Sequence, residues 1–398
     1  MSLPTSAPAG SSLLTRDAVA DTLAALVRID SVNPSYGGPA GGERRVVEWA
    51  AEFLNGFGLA PRSTEAMPGR PNLRVRLEGE RPGRPVLFET HVDTVSTRDM
   101  TIDPHGAQAR DGRLWGRGAT DAKGQAAALL HAMAAWAQSD ECPPQPIELA
   151  LVVDEEFSFG GAKGLLADGI DPLGIIIAEP TELRLVTSHK GTMRWWIEIA
   201  GQAAHGAKPR LGVNAISAAA ALIQEIDEVY IPQLGRRRAP LLEPPTINVA
   251  QVHGGVQANL VPPSCRIELD RRFLPGETRE QIFAEFEGLF EGARRRFPQF
   301  RAVQEEPVLV ACAVQTDMDW PLVKAAQAVA VEHDISPEPV GVDYATDACA
   351  LVERGAPIVI VGPGSIDQAH TRDEFIELSS LEAGARFFAD LMGQRLET

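Results

Sequence analysis

Five short segments of the sequence carry histidines and acidic residues that could do chemistry together. They are Thr90-His-Val-Asp-Thr94, Gly116-Arg-Gly-Ala-Thr-Asp-Ala-Lys-Gly124, Asp154-Glu-Glu156, Ala178-Glu-Pro-Thr181 and Ala369-His370. Imidazole and carboxylate ligands together suit Zn²⁺, Co²⁺ or Mn²⁺. A carboxylate that is shared between two such ions holds them about 3.5–4 Å apart. The segments therefore predict a site for two divalent metal ions, provided that the fold brings them together.

Buried strands are the elements that must position these segments. Three apolar stretches read as such strands, at residues 85–89, 147–153 and 174–178, and polar residues directly follow each of them. Ligand sites in open α/β sheets lie at the carboxyl ends of strands. We therefore expect one edge of a sheet to collect His91, Asp93, Glu155, Glu156 and Glu179. A lone histidine after a strand is more often structural, so the prediction depends on the whole set.

The order of predicted elements indicates two domains. From about residue 15 helix-like and strand-like stretches alternate, which is typical of an α/β domain. After residue 188 the order becomes strand, helix, strand, strand, helix, strand, at 193–200, 214–230, 246–252, 264–271, 278–296 and 303–308. That is the split βαβ, or ferredoxin-like, order. We expect residues 188–308 to form an inserted domain, and residues 1–187 and 309–398 to form one discontinuous metal-binding catalytic domain.

The composition excludes several classes of protein. Acidic residues number 54 against 37 Lys plus Arg, which gives a net charge of −17, so nucleic acid is not an expected partner. The four cysteines are far apart and form no CxxC pair, which argues against a disulfide framework and a thiolate zinc site. The sequence has neither a signal peptide pattern nor an apolar run of about 18 residues. We expect a cytoplasmic protein that does not contact a membrane.

In their order and spacing, the five segments resemble those of the di-zinc metallopeptidase family that includes acetylornithine deacetylase, succinyl-diaminopimelate desuccinylase, aminoacylase and glutamate carboxypeptidase. The resemblance extends from about residue 15 to the last predicted helix. It implies an α/β fold, with a catalytic domain built on a mixed sheet flanked by helices and an inserted ferredoxin-like α+β domain that serves as lid and dimerisation domain. It also implies a homodimer and two divalent metal ions, zinc in preference to cobalt or manganese.

The resemblance assigns the metal ligands position by position. It implies that Asp121 bridges the two ions. Glu156 and His370 would hold one ion, and His91 and Glu179 would hold the other. Each of these five residues lies within one of the five segments.

The resemblance also gives roles to two residues beside the ligands. Asp93 would accept the second ring N–H of His91 and so fix the tautomer of that ring. Glu155 would be the general base, taking a proton from a water whose pKa the metals lower toward roughly 7 and passing it to the leaving amine. The family typically has a cis peptide bond after the bridging aspartate, so one is expected at Asp121–Ala122.

Further residues match positions that handle the substrate. His205 matches a histidine that reaches across the dimer and stabilises the oxyanion in the partner's site. Asn259 and Arg272 match residues that grip the substrate, and a guanidinium fork suits a carboxylate. The neighbouring Arg271 replaces a more usual apolar residue, which leaves open which arginine faces the site. Gly364 would offer backbone N–H groups to the substrate.

The leading functional prediction is hydrolysis of the amide bond of N-acyl amino acids, with acetylornithine deacetylase or succinyl-diaminopimelate desuccinylase as the nearest models. A dipeptidase or glutamate carboxypeptidase of the same family uses identical metal chemistry, and this alternative stays open. A non-catalytic relative that binds amino acids or metal is an alternative of a different class. The retention of Glu155 and of all five ligands argues against that alternative. No short motif predicts the acyl group or the preferred side chain.

Overall fold

The computed structural model describes residues 12–396. The helices are α1 (Arg16–Val27), α2 (Gly42–Asn55), α3 (Lys123–Ala137), α4 (Gly160–Ala167), α5 (Ala215–Glu225), α6 (Ile231–Leu234), α7 (Arg279–Arg296), α8 (Pro321–Glu332), α9 (Ala348–Leu351) and α10 (Leu378–Met392). The strands are β1 (Arg62–Met67), β2 (Arg70–Leu77), β3 (Val86–His91), β4 (Gln108–Arg110), β5 (Arg113–Trp115), β6 (Ile147–Val152), β7 (Gly174–Ile177), β8 (Val186–His189), β9 (Gly191–Ala200), β10 (Thr246–Gly254), β11 (Ser264–Phe273), β12 (Ala302–Gln304), β13 (Leu309–Ala311), β14 (Val314–Gln315), β15 (Val340–Val342), β16 (Ile358–Ile360) and β17 (Phe375–Glu377). None of the helices within residues 12–396 combines the length and the apolar character that a bilayer-spanning segment needs.

The chain divides into two compact units. The first extends to Thr187 and continues at Thr316–Val340 and from Thr346, and the second comprises Ser188–Gln315 and Gly341–Ala345. Residues 309–315 and 341–345, which the sequence prediction assigned to the catalytic domain, therefore lie in the second unit. One physical reason is that β13 pairs with β9 and so extends the sheet of the second unit.

The first unit is built on the mixed, helix-flanked sheet that the sequence predicted. Its strands follow the order β1-β2-β6-β3-β7-β16-β8. The central pairs of β3 with β6, β3 with β7 and β16 with β7 are parallel, whereas β1, β2 and β6 pair antiparallel. The alanine-rich helix α3 packs on β3 and β6 and is covered by α1 and α10. Its residues 123–136 are all buried, because small side chains let neighbouring elements approach from every side.

Parallel pairing brings the chemically interesting residues to one edge of this sheet. The last residue of β3, His91, lies opposite Val152 at the end of β6. In the neighbouring pair, Glu89 lies opposite Ile177 at the end of β7. The chain therefore leaves β3, β6 and β7 on the same side, and the segments that follow them share that edge. All residues of the three strands are buried, as continuous apolar runs predict.

The second unit has the strand order that defines a split βαβ arrangement. Its sheet runs β10-β11-β9-β12, with every neighbouring pair antiparallel. The helices α5 and α7 pack against each other, and α5 also packs on β9 and β11. The core forms around Trp195, which is buried and meets Phe286 edge to face with ring centroids 5.0 Å apart. This agrees with the β-α-β-β-α-β order that the sequence indicates for the inserted domain.

Two single substitutions in α7 should change the stability of this helix in opposite directions. Thr278 and Gln281 form a reciprocal capping box at its start, so Thr278→Ala should lower the free energy of unfolding by about 1 kcal/mol. Gly288 is exposed in the middle of the helix with no atom near the place of a Cβ, so Gly288→Ala should raise it by about 0.5–1 kcal/mol. Urea unfolding of both variants measures the two effects. Equal stability of the two variants would contradict this account of α7.

Candidate metal centre

Asp121 is the carboxylate on which the candidate metal centre converges. One of its oxygens, Oδ1, lies 2.9 Å from Nε2 of His91, and the other, Oδ2, lies 3.2 Å from Nε2 of His370. His91, Asp121 and Glu156 each place a ligand atom within 4.8 Å of the others. Each oxygen of one carboxylate thus faces a different histidine, which is the arrangement that a carboxylate shared between two ions requires.

Each of the two histidines is accompanied by its own glutamate. Nε2 of His370 lies 3.0 Å from Oε2 of Glu156. Nε2 of His91 lies 3.9 Å from Oε1 of Glu179. The structure therefore brings together all five residues that the resemblance named as ligands, and it groups them in the pairs that the resemblance named.

The electrostatics of this cluster fit divalent cations. Burial raises the pKa of Glu156 to about 7 and raises the pKa of Glu179 well above its usual range. Burial also opposes ionisation of Asp121, but its hydrogen bonds with His370 and His91 outweigh this and lower its pKa. Burying several carboxylates in one place is costly unless cations compensate them. Imidazole and carboxylate side chains are also the ligand types that zinc, cobalt and manganese accept.

Asp93 ties His91 to the two glutamates that follow β6. Nδ1 of His91 lies 3.0 Å from the backbone oxygen of Asp93 and 3.5 Å from its carboxylate oxygen Oδ1. The carboxylate accepts the backbone N–H of Glu155 at 3.1 Å and that of Glu156 at 3.3 Å. The nearer partner of the ring is thus the carbonyl oxygen, and the carboxylate mainly holds the backbone of the two glutamates.

Glu155 lies in a segment whose backbone is held by hydrogen bonds to Asp93. The carboxylate of Asp93 accepts the backbone N–H of Glu155, and its neighbour Glu156 is one of the candidate metal ligands. Burial raises the pKa of Glu155 well above its usual range, and the positive charge of His91 partly opposes this. The predicted cis peptide bond at Asp121–Ala122 is confirmed. It lies immediately before α3, which starts at Lys123.

Glu374 is a residue of this site that the sequence reasoning missed. Its carboxylate is fully buried and accepts four donors from the segment that carries the shared aspartate. The donors are Nη1 of Arg117 at 2.8 Å and the backbone N–H groups of Gly118 at 3.1 Å, Thr120 at 2.8 Å and Asp121 at 3.0 Å. Glu374 therefore holds Asp121 in place. The sequence signal was weak, since an acidic residue four positions after a histidine fits no motif.

In the second unit, the structure brings two of the predicted substrate residues next to each other. His205 is exposed, and its Nδ1 accepts the backbone N–H of Ala207 at 3.0 Å. The proton of the neutral ring therefore lies on Nε2, which has no hydrogen-bond partner within residues 12–396 and can donate to a ligand. Asn259 is also exposed, and its backbone oxygen accepts the N–H of Gly206 at 2.7 Å. The loops of His205 and Asn259 thus form one exposed surface.

The two neighbouring arginines of β11 point to opposite faces of the sheet. Arg271 is fully buried, where it contacts the hydroxyl of Tyr230 at 3.2 Å and the carboxylate of Glu277 at 3.2 Å. Arg272 is partly exposed and pairs with Asp270 at 2.9 Å. Because Arg271 is used within the core of the second unit, Arg272 is the arginine of this pair that a ligand can reach.

Gly364 differs from the expectation for it. Its backbone N–H donates to the hydroxyl of Ser380 at 2.9 Å, so this donor is already used. The residue has a φ of +82°, and a Cβ there would lie 3.3 Å from the side chain of Thr120. The requirement for glycine therefore comes from this left-handed backbone conformation and from close packing against the segment that carries Asp121, and not from a free N–H group.

Comparison with known proteins gives matches over most of the chain. Residues 87–394 match the model described as Peptidase family M20/M25/M40. Acetylornithine deacetylase of Vibrio campbellii is 28% identical over 363 residues, which cover 89% of this chain and 91% of that protein. Acetylornithine deacetylase of Myxococcus xanthus is 32% identical over 307 residues, which cover 76% of this chain and 78% of that protein. The range matched by the family model contains every predicted metal ligand.

Solved structures share the fold. Aminopeptidase PepT of Bacillus cereus has a TM-score of 0.79 at 22% identity, over 96% of this chain and 99% of that one. The Bacillus subtilis protein YXEP, a dinuclear metal binding peptidase from the M20 family, has a TM-score of 0.69 at 15% identity, over 95% of this chain and 97% of that one. At these identities the likeness establishes the fold alone.

The substitution Glu374→Gln should weaken metal binding. It replaces one acceptor oxygen by an amide that points hydrogens at N–H donors, so Asp121 should lose its fixed position. Loss of such an outer partner typically costs 10–100-fold in metal affinity, and we expect a fall of at least about 10-fold. Competition with a chelating dye measures the affinity.

Glu377→Gln is the matched control for this measurement. Glu377 lies three residues further along the chain, at the end of β17, and pairs with Arg113 in a half-exposed position, so its variant should bind metal as the wild type does. A folded Glu374→Gln variant with wild-type metal affinity would show that Glu374 does not position Asp121.

Proposed function

Because the chain belongs to Peptidase family M20/M25/M40 and is a metal-dependent hydrolase, we propose that it cleaves the amide bond of N-acyl amino acids and releases the free amine. The observation that carries this proposal is the shared carboxylate of Asp121, whose two oxygens face His91 and His370. Glu155 is the chain neighbour of Glu156, which is one of the clustered residues. A pair of metal sites with an adjacent glutamate is suited to activating water against an amide.

In this proposal, the five clustered residues would hold two divalent ions, and Glu155 would move the proton. His91, Glu179 and Asp121 would hold one ion, and His370, Glu156 and Asp121 the other. Such ions, when bound, lower the pKa of a water molecule toward about 7 and polarise the carbonyl under attack.

Glu155 accepts the proton of the attacking water as the water oxygen adds to the carbonyl carbon. It then donates this proton to the nitrogen as the C–N bond breaks. The raised pKa of Glu155 suits a group that must both take and return a proton.

The proposed substrate has a free carboxylate, for which Arg272 is the proposed partner. Arg272 now forms a pair with Asp270 on a partly exposed face, and a carboxylate ligand would compete for the same guanidinium fork. Relatives at 28% and 32% identity are acetylornithine deacetylases, which favours an N-acyl amino acid over a dipeptide. Zinc is the proposed metal, with cobalt or manganese as alternatives, since the ligand set accepts all three.

We also propose that the protein forms a homodimer through its second unit. β10 is an edge strand with most of its residues exposed, and exposed apolar side chains lie on and near it, with Val252 50% and Val256 72% exposed. Unpaired edge strands favour association with another chain. His205 is exposed with Nε2 free to donate, as the oxyanion role in a partner's site requires. We propose a cytoplasmic location as well, which is where the sequence pattern of widely spaced cysteines without a CxxC pair is expected.

The function is tested with a substrate panel and a variant of the base. The wild type should release free amine from N-acetyl or N-succinyl amino acids, and a chelator should abolish this activity. Glu155→Gln should retain bound metal but lose about 10²–10⁴ in turnover, because the acid–base group is gone. The exposed Glu353→Gln is the control and should keep full turnover.

Three outcomes would contradict the proposal. Wild-type turnover in Glu155→Gln would remove Glu155 as the base. If only dipeptides are cleaved, the dipeptidase alternative holds, and if two ions bind but no substrate is turned over, the chain is a binding protein.

A mixed dimer tests the role of His205. His205→Ala and Glu155→Ala, co-expressed with different tags and purified as the mixed dimer, should each be inactive alone. If His205 acts in the partner's site, one of the two sites in the mixed dimer is complete, and about half of the wild-type turnover should return. A mixed dimer as inactive as its parents would show that His205 acts within its own subunit or not at all.

A further inference from the structure

A buried asparagine connects the carboxylates of Asp93 and Asp154, which both hold the segment of Glu155. Asn33 is fully buried, and its Nδ2 donates to Oδ2 of Asp93 at 2.7 Å and to Oδ1 of Asp154 at 2.9 Å. Its Oδ1 accepts the backbone N–H of Ser35 at 3.0 Å. Both amide hydrogens and the amide oxygen are therefore engaged, which fixes the orientation of this side chain.

Asp154, the residue before Glu155, has an unusual backbone conformation. Its φ is +65°, a left-handed value that is uncommon for a residue other than glycine. Its buried carboxylate accepts Asn33 and Ser158 and forms an ion pair with Nη1 of Arg70 at 2.7 Å. Its backbone N–H donates to Oε1 of Glu43 at 3.0 Å. Side-chain contacts therefore hold Asp154 in this conformation.

Arg70 joins the remaining members of the network. Its guanidinium contacts Glu43 through Nε and Nη2 and Asp154 through Nη1. Glu43, Asp93 and Asp154 are all buried, so three carboxylates lie close together behind Glu155. Arg70 compensates the first and the last of them. Within residues 12–396, no hydrogen bond or ion pair joins Asp93 to Arg70, and Asn33 links Asp93 to Asp154.

The consequence of these contacts is a fixed position for Glu155. The chain before it is held at Asp154, and its own N–H and that of Glu156 are held by Asp93. Among residues 12–396, Asn33 is the single side chain that donates to both of these carboxylates. Without its two hydrogens, Asp93 and Asp154 would face each other with no donor between them, and like charges would repel.

We propose that Asn33 is a positioning residue for the reaction, which holds Asp93 and Asp154 together and thereby orients Glu155 toward the attacking water. Arg70 and Glu43 support it from the side away from the metal cluster. This inference rests on the proposed function, because it assigns Asn33 a part in the work of Glu155.

The test uses Asn33→Asp in the full-length, metal-loaded protein. This variant keeps the shape of the side chain and the acceptor for Ser35 but loses both donors. Hydrogen exchange followed by mass spectrometry should show at least about 10-fold faster exchange in a peptide covering residues 154–158. Turnover number should fall about 10–100-fold, as expected for an outer partner, while KM changes little.

Two further variants make the result specific. Thr22→Val removes a buried hydrogen bond to His131 outside the network, so it should lower the melting temperature without changing exchange at residues 154–158 or turnover. Arg70→Lys keeps the positive charge but loses the fork between Glu43 and Asp154, and it should shift both readouts in the same direction as Asn33→Asp. It carries the test if Asn33→Asp does not fold.

The outcomes separate this inference from the proposed function. If exchange at residues 154–158 and turnover both stay at wild-type levels in Asn33→Asp, or in Arg70→Lys when it carries the test, the inference is overturned. The same holds if Thr22→Val changes both as strongly. If the wild type cleaves nothing in the substrate panel but exchange still accelerates, the proposed function has failed while the anchoring of the Glu155 segment stands.

Discussion

The first unit is organised around one constraint. The two carboxylate oxygens of a single aspartate must each face a different histidine. Asp121 can face both His91 and His370 only if its segment stays in place. Glu374 supplies this by accepting three backbone N–H groups and an arginine. Parallel pairing of β3, β6 and β7 then delivers His91 and the glutamates to the same edge. The fold thus serves to hold acidic side chains closer together than they would lie on their own.

The same constraint explains why carboxylates also surround the cluster. Asp93 and Glu374 are buried, yet each accepts backbone N–H groups rather than facing another acid directly. Hydrogen bonds of this kind stabilise a buried negative charge. The carboxylates of the cluster itself, Glu156 and Glu179, have pKa values raised by burial, and neither accepts a backbone N–H group from the described part of the chain. They are therefore the groups that divalent ions would satisfy.

The sequence predicted what depends on residue type and local order. Buried strands read as apolar runs, and His91, Asp121 and Glu156 follow such runs or lie in recognisable segments, so their convergence was foreseeable. Contacts between residues that are far apart in the sequence could not be predicted in this way. Glu374 belongs to no recognisable motif, and it contacts Asp121 although the two residues are 253 positions apart in the sequence. Asn33 and Asp154 are in contact although they are 121 positions apart. The use of Gly364 for packing, and the exclusion of Arg271 by burial, likewise depend on neighbours that only the folded chain brings near.

Anomalous diffraction from crystals grown with zinc, recorded at the zinc absorption edge, tests the central claim most directly. The account predicts two peaks at the carboxyl edge of the sheet, with one oxygen of Asp121 next to each, His91 beside one peak and His370 beside the other. A single peak that does not touch Asp121, or no peak among these residues, would contradict it.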